Sequence, residues 1–166
     1  MPSEETLTNS AEETTQFGRA IAARLEAPVL VLLKGDLGAG KTTLSKGIIS
    51  GLGAAREEDV TSPTFNLVHV FQRQAPQPAK VYHVDLYRLD GTHDLESIAL
   101  EDVLAEPCIA IIEWSERLTL RCAWPVVRIE LVHSGGDRRS IHVSGLDGIT
   151  PSSSQSSPET PSRKAT

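Results

Sequence analysis

The chain has 166 residues, and its 16 lysines and arginines against 22 aspartates and glutamates leave a formal net charge of −6. That length predicts one domain, and a composition 39% hydrophobic but only 4% aromatic predicts a core built mainly from aliphatic side chains. The acidic balance excludes strong binding to bare nucleic acid through bulk charge, which needs clustered Lys and Arg, and the apolar runs fall far short of the roughly 20 residues that cross a bilayer.

Cys108 and Cys122 form neither a disulfide framework nor a metal-ligand spacing. The start Met1-Pro2-Ser3-Glu4-Glu5 is acidic and lacks the apolar stretch of a secretory signal. A cytoplasmic protein without a membrane segment is therefore expected.

In chain order, residues 1–9 are polar and predict a flexible N-terminus. Ser10 with Glu13 three residues later reads as a capping box, each side chain satisfying a backbone donor at a helix start. Phe17, Ile21 and Leu25 recur every four residues and predict a helix from about Ala11 to Glu26. Pro28 opens the unalternating run Val29-Leu30-Val31-Leu32-Leu33, the pattern of a strand buried on both faces. A glycine-rich loop follows, then a helix over about Lys41 to Leu52 closed by Gly53.

Strands are predicted from Phe65 to Phe71 and from Lys80 to Leu89, joined through a turn over Gln74 to Pro78 that holds two prolines. The stretch Asp90 to Glu106 carries six acids and no Lys or Arg. It reads as one or two short helices, with either a solvated face or a contact surface for a basic partner. Cys108 to Ile112 is a further buried strand, and Val126 to Val132 with Ser140 to Val143 form a hairpin around Ser134-Gly135-Gly136-Asp137. From Thr150 onward Ser, Pro and Thr predominate. The expected organisation is thus a flexible start to residue 9, one domain over 10–148, and a disordered tail over 149–166.

The strongest chemical signal is Gly35-Asp36-Leu37-Gly38-Ala39-Gly40-Lys41-Thr42, which fits G-x-x-x-x-G-K-[ST] in full. Glycines let the backbone curl so that successive N–H groups, including those of Thr43 and the residues before it, face phosphate oxygens. Lys41 places a cation near the outer phosphates, and the Thr42 hydroxyl suits Mg²⁺. The helix starting there adds the positive end of its dipole. An apolar strand before the loop and a helix after it supply the context the pattern requires.

No Asn-Lys-x-Asp guanine reader is present, because neither Asn9 nor Asn66 precedes a lysine. ATP is therefore the expected nucleotide. Such a loop also needs a strand-end acid for Mg²⁺, held directly or through water. Glu113, ending Ile109-Ala110-Ile111-Ile112-Glu113, and Asp85, in His83-Val84-Asp85-Leu86-Tyr87, both qualify. Alternation places His83, Asp85 and Tyr87 on one strand face. His83 reads more readily as a hydrogen-bonded structural residue than as a base. Thr61-Ser62-Pro63-Thr64-Phe65 is either a plain turn or a switch-like loop that senses the outer phosphate.

Taken together, Gly35 to Thr43, Ser62-Pro63-Thr64-Phe65, His83-Val84-Asp85-Leu86-Tyr87-Arg88 and Glu113-Trp114 resemble the TsaE family, bacterial ATPases of tRNA threonylcarbamoyladenosine formation. The resemblance runs from about Ser10 to Val143 and leaves the tail outside it. It implies an α/β, P-loop NTPase-like three-layer fold with a mixed sheet that includes antiparallel strands. It also implies association with TsaD and TsaB, which handle the tRNA while the ATPase resets the assembly. Carried onto this chain, Lys41 binds phosphate, Thr42 with Glu113 holds Mg²⁺, and Asp85 is a second acid near the metal or the attacking water. Thr64 belongs to a first switch-like segment and Trp114 to a second, and the stretch from Ser10 to Thr14 lies near the adenine.

Such a site is expected to turn over slowly alone, since phosphoryl transfer depends on added positive charge and positioning. Arg88 is a candidate for that charge, the alternative being a solvated strand end. Two rival functions remain at this level. One is a small-molecule kinase with Arg117 and Arg121 as a phosphate-gripping lid, although the chain shows no acceptor-binding insertion. The other is a module whose bound ATP only stabilises assembly.

Overall fold

The computed structural model describes residues 3–61, 68–87, 100–117 and 123–148. The N-terminal half holds Ser3–Thr8 (β1), Ala11–Ala22 (α1), Val29–Lys34 (β2) and Lys41–Gly51 (α2). Then come Val68–Arg73 (β3), Ala79–Asp85 (β4), the single turn Leu100–Val103 (α3), Ile109–Glu113 (β5), Val126–His133 (β6) and Arg139–Ser144 (β7). Among the described residues no helix is long and apolar enough to cross a membrane.

One seven-stranded sheet runs β1-β7-β6-β2-β5-β4-β3. Its centre is parallel: β2 pairs with β5 and with β6, and β4 with β5. The pairs β3–β4, β6–β7 and β1–β7 are antiparallel. The mixed sheet expected of the fold is therefore present. Because β2 has strands on both sides and layers on both faces, its residues split by parity. Val29, Val31 and Leu33 join Ile109, Ile111 and Ile129 under α1 and α2. Leu30 joins Ala110, Ile112, Val84, Leu100 and Val103 on the other face. This two-sided burial explains why the run lacks alternation.

The helix layer is unusually close at one crossing. A Cβ on Gly47 of α2 would sit 2.1 Å from the Thr15 carbonyl oxygen of α1, and one on Gly18 would sit 2.6 Å from the Leu44 carbonyl oxygen. These two glycines let the helix backbones touch, which brings the start of α1 beside the start of α2.

Several expectations need correction. The N-terminus is not loose: Ser3–Thr8 pairs along its length with β7, from Ser3 opposite Ser144 to Thr8 opposite Arg139. Polar side chains do not prevent this, because an edge strand is held by its backbone and keeps its outward face in solvent. The first helix stops at Ala22 instead of Glu26, its Ala23 cap N–H bonding to Arg19 and Ile21. Tight turn bonds from Arg24 to Ile21 and from Leu25 to Ala22 still carry Leu25 into the core, where it is buried, and Pro28 disfavours helix immediately before it. The antiparallel ladder extends to Arg73 opposite Ala79, so β3 outruns Phe71, and β4 ends at Asp85. Residues 62–67, 88–99, 118–122 and 149–166 lie outside the described residues. The Ser62 to Thr64 switch, Arg88, Arg121, most of the acidic segment and the tail fall there.

Candidate functional site

The glycine-rich loop leaves β2 at Lys34 and enters α2 at Lys41. Gly38 (φ 78°) and Gly40 (φ 102°) sit in the left-handed region, which side chains with a Cβ occupy at a cost. Gly40 also caps α2 and its carbonyl accepts from the Leu44 N–H, so the helix starts at the loop's end. This turn aims the N-terminus of α2, the positive end of its dipole, at the loop's concavity.

Lys41 is buried and folded back on the loop. Its Nζ donates to the carbonyl oxygens of Gly35 at 2.5 Å and Asp36 at 2.8 Å. It also lies 3.8 Å from the centroid of the Trp114 ring, a cation–π contact. Burial pushes the lysine below its ordinary pKa, opposed by the carboxylates of Glu113, Glu116, Asp85 and Asp36. Trp114 is held at φ 61°, an uncommon conformation for a bulky residue, and its ring meets Tyr87 at 5.0 Å between centroids.

The two strand-end acids come together because β4 and β5 are parallel neighbours in register, with Asp85 opposite Glu113. Both side chains lie on the α2 face of the sheet. Glu113 is 1% exposed and fully engaged: Oε2 accepts from the Thr42 hydroxyl at 3.1 Å, and Oε1 from the Ser45 hydroxyl at 2.9 Å. His83 Nε2 also lies 2.9 Å from Oε1, so His83 is hydrogen-bonded and buried. Asp85 accepts from the Tyr87 N–H at 2.9 Å. Desolvation raises its pKa, the Tyr87 bond lowers it, and Glu113 adds to the rise. Thr42 Oγ1, Glu113 Oε2 and Asp85 are hard oxygen donors few enough to suit Mg²⁺, which usually keeps waters and shares its shell with phosphates.

On the other side of the loop lies a cleft of about 40 Å³ lined by Ala11, Thr14, Gly40, Thr43, Asp137 and Arg139. Thr14 is anchored by its hydroxyl to Thr8 at 2.8 Å. Ser10 serves first as the α1 cap, accepting from the Glu13 N–H at 3.1 Å, while Glu13 Oε2 accepts from the Asn9 N–H at 2.7 Å. Arg139 reaches over the loop and donates to the Gly38 carbonyl at 3.3 Å. Asp137 and Arg139 do not emerge from sequence reasoning, which takes Gly135 to Asp137 as a plain hairpin turn. The signal that points to them is a charged pair next to that turn, visible as a site only once β6 is placed beside β2. Leu37 stands 73% exposed at the loop's tip.

The structure thus gathers Lys41, Thr42, Asp85, Glu113 and Trp114, and places Ser10 and Thr14 across the loop from them. Arg117 closes the 3-10 turn Ser115–Arg117. Thr64, Arg88 and Arg121 lie outside the described residues.

Comparison with known proteins gives one consistent result. A family model described as "Threonylcarbamoyl adenosine biosynthesis protein TsaE" matches residues 8–141. A tRNA threonylcarbamoyladenosine biosynthesis protein TsaE from Rickettsia bellii is 35% identical over 143 residues, covering 86% of this chain and 96% of the relative. The protein of that name from Streptomyces coelicolor is 38% identical over 136 residues, covering 79% and 89%. The crystal structure of Bacillus subtilus YdiB superposes with a TM-score of 0.63 at 25% identity, covering 89% of each chain.

Proposed function

The chain belongs to the TsaE family of tRNA threonylcarbamoyladenosine biosynthesis, and from that membership we propose that it is a Mg²⁺-dependent ATPase acting with TsaD and TsaB. In this reading ATP hydrolysis resets the assembly that modifies tRNA, and the chain itself does not modify the tRNA base. The single observation that carries the reading is the convergence of Lys41, Thr42, Asp85 and Glu113 on one phosphate-type loop.

Lys41 exchanges the Gly35 and Asp36 carbonyls for phosphate oxygens and, with the α2 dipole, holds the outer phosphates. Thr42 and Glu113 would hold Mg²⁺, which when bound neutralises charge building on the transferred phosphoryl group. Asp85 orients the attacking water and takes up its proton, a role that its raised pKa favours. The nucleoside end extends toward Thr14, Thr43 and Arg139.

ATP turnover measured for the chain alone, and with TsaB plus TsaD, tests the proposal. Slow turnover that rises with the partners and falls by about a hundredfold in Glu113→Ala is expected. Turnover indifferent to both the partners and the substitution would sink it.

A further inference from the structure

Glu113 is held by more than a metal-binding carboxylate requires. Thr42 occupies the Oε2 side, and two further groups converge on Oε1 at 2.9 Å each: His83, and Ser45, whose one hydroxyl hydrogen is shared between Oε1 and the Lys41 carbonyl, also at 2.9 Å. Ser45 comes from the second turn of α2 and His83 from β4, so Oε1 is gripped from both the helix layer and the sheet. When Glu113 is in the carboxylate form that would hold a metal, Oε1 can only accept, so the bond to it requires the His83 tautomer with the hydrogen on Nε2. The other ring nitrogen, Nδ1, is buried and has no hydrogen-bond partner among the described residues. On β3 the residue opposite is His69, whose ring packs edge-on at 6.5 Å between centroids.

An unmet buried polar atom is costly, and a Val or Leu of similar volume would avoid the cost. The one polar contact that the His83 side chain makes among the described residues is to Glu113. We propose that His83 is a positioning residue: together with Ser45 it locks Oε1 and thereby turns Oε2 toward Thr42 and the Mg²⁺–phosphate position. The inference rests on the Mg²⁺–ATPase reading and adds a residue to it. Groups that orient a metal-binding side chain typically alter metal affinity by about 10–100-fold, without touching the nucleotide.

The decisive measurement is Mn²⁺ affinity by electron paramagnetic resonance at saturating non-hydrolysable ATP analogue. It is paired with analogue affinity in EDTA and with the melting temperature. A Gln amide nitrogen reaches the position of Nε2, whereas that of Asn reaches only Nδ1. His83→Asn and Ser45→Ala should therefore weaken Mn²⁺ binding by about tenfold or more, and His83→Gln should stay within about threefold of wild type. Analogue affinity in EDTA should be unchanged in all three. Mn²⁺ affinity equal to wild type in His83→Asn, or equally weak in His83→Asn and His83→Gln, overturns the proposal. If His83→Asn does not fold, Ser45→Ala decides, and wild-type affinity there overturns it. Wild type that binds no Mn²⁺ with the analogue defeats the ATPase reading itself, and this inference with it.

Discussion

At the scale of single residues, the site stores its charges at a cost. Asp85 sits at 9% exposure beside Glu113, and desolvation raises its pKa above 3.8. An acid with a raised folded pKa destabilises the fold wherever it is ionised. The penalty is full above the raised value, shrinks as pH falls toward 3.8, and is gone below it. Asp85→Asn should therefore stabilise the nucleotide-free protein by about 0.5–1 kcal/mol near neutral pH while lowering turnover. In urea melts the gain should vanish under acid conditions; a gain that persists there would locate its origin elsewhere. Arg139 gives a second expectation. Its guanidinium bonds the Gly38 carbonyl and lines the cleft. Arg139→Ala should weaken binding of a fluorescent ATP analogue by about tenfold and leave the Mn²⁺ affinity of the Thr42–Glu113 pair alone.

Between elements, the contact that places Thr14 beside Thr43 is the α1–α2 crossing. Gly47→Ala gains helix propensity of about 1 kcal/mol, but its methyl would meet the Thr15 carbonyl at 2.1 Å. Backbone cannot yield as a side-chain end can, so a net loss of about 1–3 kcal/mol is expected, with weaker nucleotide binding as α1 is pushed away. Chemical denaturation of Gly47→Ala beside Gln16→Ala, a control at an exposed position of α1, separates the clash from propensity. Ser10→Ala should cost about 1 kcal/mol through its cap alone. Capping box, apolar strands and hairpin were all legible because each is dictated by a few neighbouring residues. Strand β1 was not. Ser3-Glu4-Glu5-Thr6-Leu7-Thr8 has no apolar alternation, and its partner lies far along the chain, so nothing local announces the pairing. The end of α1 is masked in the sequence for a related reason: Leu25 keeps the helical spacing while reaching the core through a turn.

For the molecule as a whole, the loop and the strand-end acids were readable because each sits where its own strand ends. Their mutual register was not, since it follows from β4 and β5 being parallel neighbours. The second wall of the cleft was hidden for the same reason: it is built by the β6–β7 hairpin, far from the loop in sequence. That arrangement has a consequence for synthesis. Among the described residues, β1 precedes every other strand and its ladder partner β7 follows them, so that Glu5 meets Ser140 across 135 residues. During translation the loop, Lys41, Thr42, Asp85 and Glu113 all emerge before Asp137 and Arg139, and before β1 has anything to pair with. Contacts this distant form late, after the loop entropy between them has been overcome. A chain ending at residue 133 should thus keep every phosphate-side group and yet gain no resistance to proteolysis from ATP, whereas the full chain should gain it. On the proposed reading, the ribosome would in effect hold the cleft open on one side until the β6–β7 hairpin has been made.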